Sequence, residues 1–238
     1  MYSDLSFNYS ANIQRLAIGS EQQPVVIVDN LLDDPEKLLD YAEQGDKFKS
    51  ISSDYYPGIR KSIEGAYPFY ICDFIRDFFS QPMSLSEYSK ANVSLCALSL
   101  ATTKASKLRP IQSLPHFDSA DEMQFAVVHY LCSSDCGGTS FYKHRKTGYE
   151  SITVSRIKTY ATILKDQVLS NRFQGKRYMD GDNEWFERIA TVEAKFNRAV
   201  FYRGNSIHSG NIKPGNDLSN NPRIGRLTAN TFVNFTIQ

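Results

Sequence analysis

From residue 91 to the C-terminus, apolar residues arrive in short runs separated by turn formers: NVSLCALSLAT, EMQFAVVHYL, GGTSFYKH, NRAVFYRG and RIGRLTANTFVNFTI. Val, Phe, Tyr and Thr dominate the runs, and Gly, Asn, Asp and Ser divide them. Branched and aromatic side chains suit a pleated, half-buried surface, so the pattern predicts a set of antiparallel strands. Nothing else in the chain narrows the fold as much.

The N-terminal part has a different texture. PVVIVDNLL (24–32) reads as a strand, and DDPEKLLDYAEQG reads as a helix. Asp33 or Asp34 can cap that helix, Pro35 fits its first turn and Gly45 can end it. FYICDFIRDFF (69–79) has apolar positions at helical spacing, and SRIKTYATILKDQVL keeps a 3.6 period through Ile157, Tyr160, Ala161, Leu164 and Val168. The expected fold class is α+β, mainly β, with a double-stranded β-helix (jelly roll, cupin-like) core. N-terminal helices over 1–90 would pack on one sheet of a core spanning 91–238, with a helical insertion near 155–180. At 238 residues the chain is expected to form a single domain, 1–238.

Net charge is +1, so no electrostatic footprint for nucleic acid or an anionic membrane is present. No apolar run approaches the length that spans a bilayer. MYSDLSFNYSANIQ lacks a basic stretch followed by an apolar core, so no signal peptide is expected. Cys72, Cys96, Cys132 and Cys136 then read as free thiols of a cytoplasmic protein. Cys132 and Cys136 have the wrong spacing and no second pair for a structural zinc site.

LPHFDSAD (114–121) places His116 and Asp118 two residues apart, which puts both side chains on one face of an extended segment. Of the four histidines, His208 lies beyond a distant strand in AVFYRGNSIHSGN. A His-x-Asp pair with one remote His is the 2-His-1-carboxylate set, which leaves one face of an octahedral metal open and points to non-haem Fe(II). Alone the pair is weak, since a loop His beside a turn Asp spells the same letters. His129 reads as a satisfied buried histidine, and His144, in YKHRK, as part of a solvated hairpin end.

RIGRLTANTF puts Arg226, Thr228 and Asn230 on one strand face. An inward guanidinium is costly without an anion and matches a carboxylate fork. HYLCSSDCGGTSFY reads as a hairpin whose turn contains Gly137 and Gly138, with Tyr130 as a candidate contact for a bound carboxylate.

Taken in order, His-x-Asp, a Tyr-Leu strand, a Gly-Gly turn, His-Ser-Gly and Arg-x-Thr resemble the iron(II)- and 2-oxoglutarate-dependent dioxygenase superfamily. The prolyl-hydroxylase-like branch, including bacterial relatives with a Gly-Gly-Thr motif, is the nearest match. The resemblance covers residues 91–238, and PVVIVDNLLDDPEKLLDYA looks like the opening strand and helix of that branch. It implies Fe(II) bound by His116, Asp118 and His208, the catalytic group. It implies 2-oxoglutarate as co-substrate, held by Arg226 with Thr228 and Tyr130, and O2 as oxidant. Decarboxylation of 2-oxoglutarate would be coupled to hydroxylation of a small-molecule or peptide substrate. The eighteen residues from His208 to Arg226 exceed the family's usual spacing. The excess falls in the turn-rich KPGNDLSNNP, which leaves Arg223 as a competing assignment. Two other functions remain open at this point: a β-sandwich binding module that has lost turnover, and another cupin-type metalloenzyme. The segment 155–180 reads equally as a lid or as a packing helix.

Overall fold

PVVIVDNLL forms a strand buried on both faces. Val26 and Val28 enter one apolar cluster, while Val25 and Ile27 enter another. A strand buried in this way needs a layer on each side, and the computed structural model supplies both. It describes residues 5–8, 10–50, 55–83, 85, 90–170, 173, 175–213 and 218–236. The strands are β1 (Asn12–Ile18), β2 (Gln23–Asp29), β3 (Gly58–Ser62), β4 (Lys90–Ala101), β5 (Gln124–Tyr130), β6 (Thr139–His144), β7 (Phe186–Val192), β8 (Arg198–Arg203), β9 (His208–Gly210) and β10 (Leu227–Thr236). Seven of them form a sheet in the order β1-β2-β8-β5-β10-β4-β3, and the other three form a sheet in the order β7-β6-β9. Neighbours in both sheets run antiparallel.

Alternation along the strands divides the interior. On the outer face of the large sheet, Val127, Phe201, Leu98, Leu227, Ala229 and Val233 pack with residues of two helices, α1 (Glu36–Glu43) and α2 (Tyr67–Met83). These helices bring Leu38, Leu39, Ile71 and Ile75, each contributing about 1.5–3 kcal/mol relative to exposure. The inner face of the large sheet meets the small sheet through Ala126, Val200 and Tyr202 on one side and Phe141 and Val192 on the other. A third cluster lies beyond the small sheet, where Tyr142, Phe186 and Ile207 pack on Tyr160 of α3 (Ile157–Ser170). The expected mainly antiparallel β architecture is therefore present, with three α-helices among the described residues, two of them packed on one sheet. No helix among the described residues is long and apolar enough to cross a membrane.

Three local expectations differ from the structure. HYLCSSDCGGTSFY is not a hairpin, because β5 belongs to the large sheet and β6 to the small one, and the link passes between them. Close backbone approach dictates its glycines: a Cβ at Gly137 (φ +77°) would lie 1.5 Å from the Asn211 carbonyl oxygen, and one at Gly138 would lie 1.9 Å from that of Val192. Neither Asp33 nor Asp34 caps α1, since Pro35 holds the N-cap position without a side-chain bond. Finally, β10 begins at Leu227, so Arg226 precedes the strand rather than lying in it. Part of the KPGNDLSNNP loop (214–217) and part of the 155–180 insertion (171, 172 and 174) lie outside the described residues.

Candidate functional site

His116 lies outside the regular strands, yet its segment is tied to β9. The His116 N–H donates to the His208 carbonyl at 2.8 Å, and the His208 N–H donates back to the His116 carbonyl at 2.8 Å. Two residues on, the Asp118 N–H donates to the Gly204 carbonyl at 2.7 Å. Extended geometry then turns the His116 and Asp118 side chains to one face, opposite His208. One donor atom from each of the three lies within 4.8 Å of the others.

These side chains converge without bonding one another. His116 Nε2 is 3.9 Å from Asp118 Oδ1, and His208 Nε2 is 3.7 Å from Asp118 Oδ2, both beyond hydrogen-bond range. His208 Nδ1 is 3.0 Å from the Ser206 carbonyl, to which it donates, leaving the Nε2 lone pair facing Asp118. Asp118 Oδ2 is buried with no hydrogen-bond partner. Burial raises the Asp118 carboxyl to about 6 against the attraction of His116 and Arg60. Burial likewise holds His208 down at about 4. His116 opens about half of its side-chain surface to a cavity, yet desolvation within it, helped by repulsion from His208, also brings the imidazole to about 4. Two neutral imidazoles therefore face a buried carboxylate whose Oδ2 has no hydrogen-bond partner among the described residues. Such a group is unstable without a cation. A metal about 2.1 Å from each donor would need them to close to about 3 Å apart. The donor chemistry fits the 2-His-1-carboxylate set.

The cavity is about 630 Å³, and His116, Asp118, His208 and Arg226 all line it. Arg226 is only 6% exposed. Its Nη2 donates to the Gly138 carbonyl at 3.1 Å, its Nε has no partner, and among the described residues no carboxylate pairs with it. Its guanidinium carbon stands 5.9 Å over the Tyr130 ring. Arg223 is placed elsewhere: its three nitrogens bond Glu43, Glu36 and Asp40 of α1 at 2.9, 3.1 and 2.6 Å. Of the two arginines, Arg226 is the one at the cavity. Thr228 is fully buried and does not line the cavity, its hydroxyl lying 3.5 Å from the Ser99 carbonyl. Tyr130 does not line it either. Its hydroxyl bonds Thr139 at 2.6 Å, and it is Thr139 that reaches the cavity wall.

Tyr56, Arg60, Tyr178 and Asn230 also line the cavity. The Arg60 guanidinium lies 4.6 Å over the Tyr56 ring, and burial raises the Tyr56 hydroxyl against the opposing charges of Arg226 and Arg60. Of these four the sequence marks only Asn230, on the Arg226–Thr228 strand face; the others come from separate segments with no shared motif. His129 and His144 stand apart from the site. His129 is held between Tyr67 and Asn197, and His144 between Thr147 and Gln167.

Fold and site together define a mainly antiparallel β protein with a His-Asp-His donor group and a buried guanidinium in one cavity. The chain belongs to a family of unknown function, DUF6445, whose match spans residues 9–233. No curated protein matches the sequence. Among solved structures, HygX from Streptomyces hygroscopicus, with nickel and 2-oxoglutarate bound, is similar at TM-score 0.48 and 8% identity, covering 88% of this chain and 82% of that one. SnoN, a non-haem alpha-ketoglutarate-dependent epimerase from nogalamycin biosynthesis, is similar at TM-score 0.45 and 15% identity, covering 88% and 78%. An N-substituted L-amino acid dioxygenase from Burkholderia ambifaria AMMD follows at TM-score 0.41 and 9% identity, covering 95% of each chain.

Proposed function

We propose that the chain is a non-haem Fe(II)- and 2-oxoglutarate-dependent oxygenase, a hydroxylase of the prolyl-hydroxylase-like branch built on a double-stranded β-helix core. One observation carries the reading: three metal-competent donors converge without bonding each other, in the same cavity as a buried guanidinium that no carboxylate among the described residues pairs with. His116, Asp118 and His208 would hold the metal. Bound iron with 2-oxoglutarate supplies oxidising power from O2, with decarboxylation of the oxo acid coupled to oxidation of the substrate. Arg226 orients the far carboxylate of the oxo acid, its fork suited to two parallel bonds. The Gly138 carbonyl and the Tyr130 ring fix that guanidinium, and the Tyr130–Thr139 bond fixes the ring. Thr228 supports the same end of the strand. Cavity walls that exclude water strengthen these contacts. A cytoplasmic location accompanies the reading, in keeping with four free thiols.

The test is succinate release from 2-oxoglutarate by the purified chain with Fe(II) and ascorbate. Release that needs both metal and oxo acid supports the reading. Tight metal binding with no thermal protection by 2-oxoglutarate would favour a different metalloenzyme.

A further inference from the structure

Around the four polar residues assigned above, the cavity wall is largely apolar and aromatic. Leu114, Phe117, Tyr160 and Leu164 belong to one packed cluster, and Phe117 meets Tyr160 edge to face at 6.1 Å. Phe117 lies between the two donors His116 and Asp118, so the wall of α3 adjoins the metal ligands. Farther out, the lining residues Tyr55 and Ile111 are 63% and 51% exposed, large apolar side chains that a bound molecule would cover. Flat rings bury apolar area and stack well against such a surface.

Charge along the wall is one-sided. Among the described lining residues, Asp118 is the sole carboxylate, while Arg60 and Arg226 are both guanidiniums. The Arg60 guanidinium lies 4.6 Å over the Tyr56 ring. A metal on Asp118 would take up the one negative charge. Asp118 and the two carboxylates of 2-oxoglutarate would answer the metal and Arg226. An ammonium entering the rest of the cavity would then lose hydration with no carboxylate of the wall to receive it and with the Arg60 guanidinium nearby. A neutral group avoids the cost of desolvating a charge, and an anionic group, though it loses hydration, meets the Arg60 guanidinium with favourable sign.

We propose that this cavity takes a small molecule with a planar, apolar body and no positive charge. The inference rests on the oxygenase reading of the same site and names the class of its substrate.

Three probes with one ring system isolate the charge: 2-naphthylacetate, 2-(2-naphthyl)ethanol and 2-(2-naphthyl)ethylamine. Each is titrated calorimetrically into the full chain loaded with Ni(II) and saturated with 2-oxoglutarate, so that no turnover occurs. The acid and the alcohol should bind, with the amine about tenfold weaker or more. Leu164→Glu, which adds a carboxylate to the wall, should narrow or reverse that order; should the variant not fold, the wild-type ranking decides alone. An amine that binds as tightly as the acid overturns the proposal. So does the absence of binding by all three probes while 2-oxoglutarate still binds, an outcome that leaves the oxygenase reading standing. Failure of the Ni(II)-loaded chain to bind 2-oxoglutarate overturns that reading, and the substrate class with it.

Discussion

The roles proposed for His208 and Arg226 are separable. His208 donates through Nδ1 to Ser206 and keeps Nε2 toward Asp118, so its truncation would remove the proposed ligand together with ring contacts to His116 and Tyr202. His208→Ala should therefore lose stoichiometric Fe(II) after anaerobic reconstitution while far-UV circular dichroism stays native. Retained iron would take His208 out of the ligand set. Arg226→Ala should leave iron content unchanged and weaken 2-oxoglutarate on the order of a hundredfold, as expected for losing two charge-assisted bonds. The concentration dependence of succinate release measures this directly. An unaltered requirement would move the clamp elsewhere, though not to Arg223, which three carboxylates of α1 already hold.

At the scale of elements, the link from β5 to β6 is the most constrained segment. It crosses between sheets, its Gly137 backbone presses on Asn211, and the Gly138 carbonyl receives Arg226. Gly137→Ala combines a left-handed φ with a backbone overlap, so it should cost more than about 1 kcal/mol in urea denaturation. It should also weaken 2-oxoglutarate through the displaced Gly138 carbonyl. A variant as stable as the parent would show that the link relaxes freely. The same segment shows where the sequence stops being informative. β4, β5, β6, β8 and β10 were legible because Val, Phe and Tyr cluster there, and α2 and α3 because their apolar spacing is helical. The edge strand β1 was not, since NIQRLAI is exposed over most of its length and needs no apolar alternation. β7 carries Glu187 and Arg188 amid its apolar residues, and β9 has only three residues, too few to show a period. The Gly-Gly link read as a hairpin because nearness in sequence does not reveal which sheet a strand joins. Ligand spacing in the site was legible, whereas Tyr56 and Arg60 were not, because register alone brings them there. That register aligns Arg60, Ser99, Thr228 and Tyr130 across four neighbouring strands.

For the whole molecule, acid sensitivity follows in part from a buried ring in the core beneath α2. Neutral His129 accepts from Tyr67 at 3.0 Å and donates to Asn197 at 3.1 Å, and burial holds it at about 4. Unfolded, it takes up a proton near 6.5. Between these values the unfolded chain binds more protons, so stability should fall as pH drops from 6.5 towards 4, by on the order of 3 kcal/mol from this residue. His208 and His116 act in the same direction, while Asp118, raised in the fold, opposes them between 3.8 and 6. Urea midpoints of the metal-free chain at pH 4.5 and 7 test the sign. His129→Gln should reduce the difference, and an unchanged slope would assign the effect elsewhere.

The reciprocal amide bonds between the His116 and His208 backbones carry a further consequence. Both imidazoles hang from one closed ring of main chain, so their spacing is set when the strands zip together, before any ion arrives. Capture of a metal there would require small side-chain adjustments rather than the folding of a disordered loop, and its loss should leave an intact cradle.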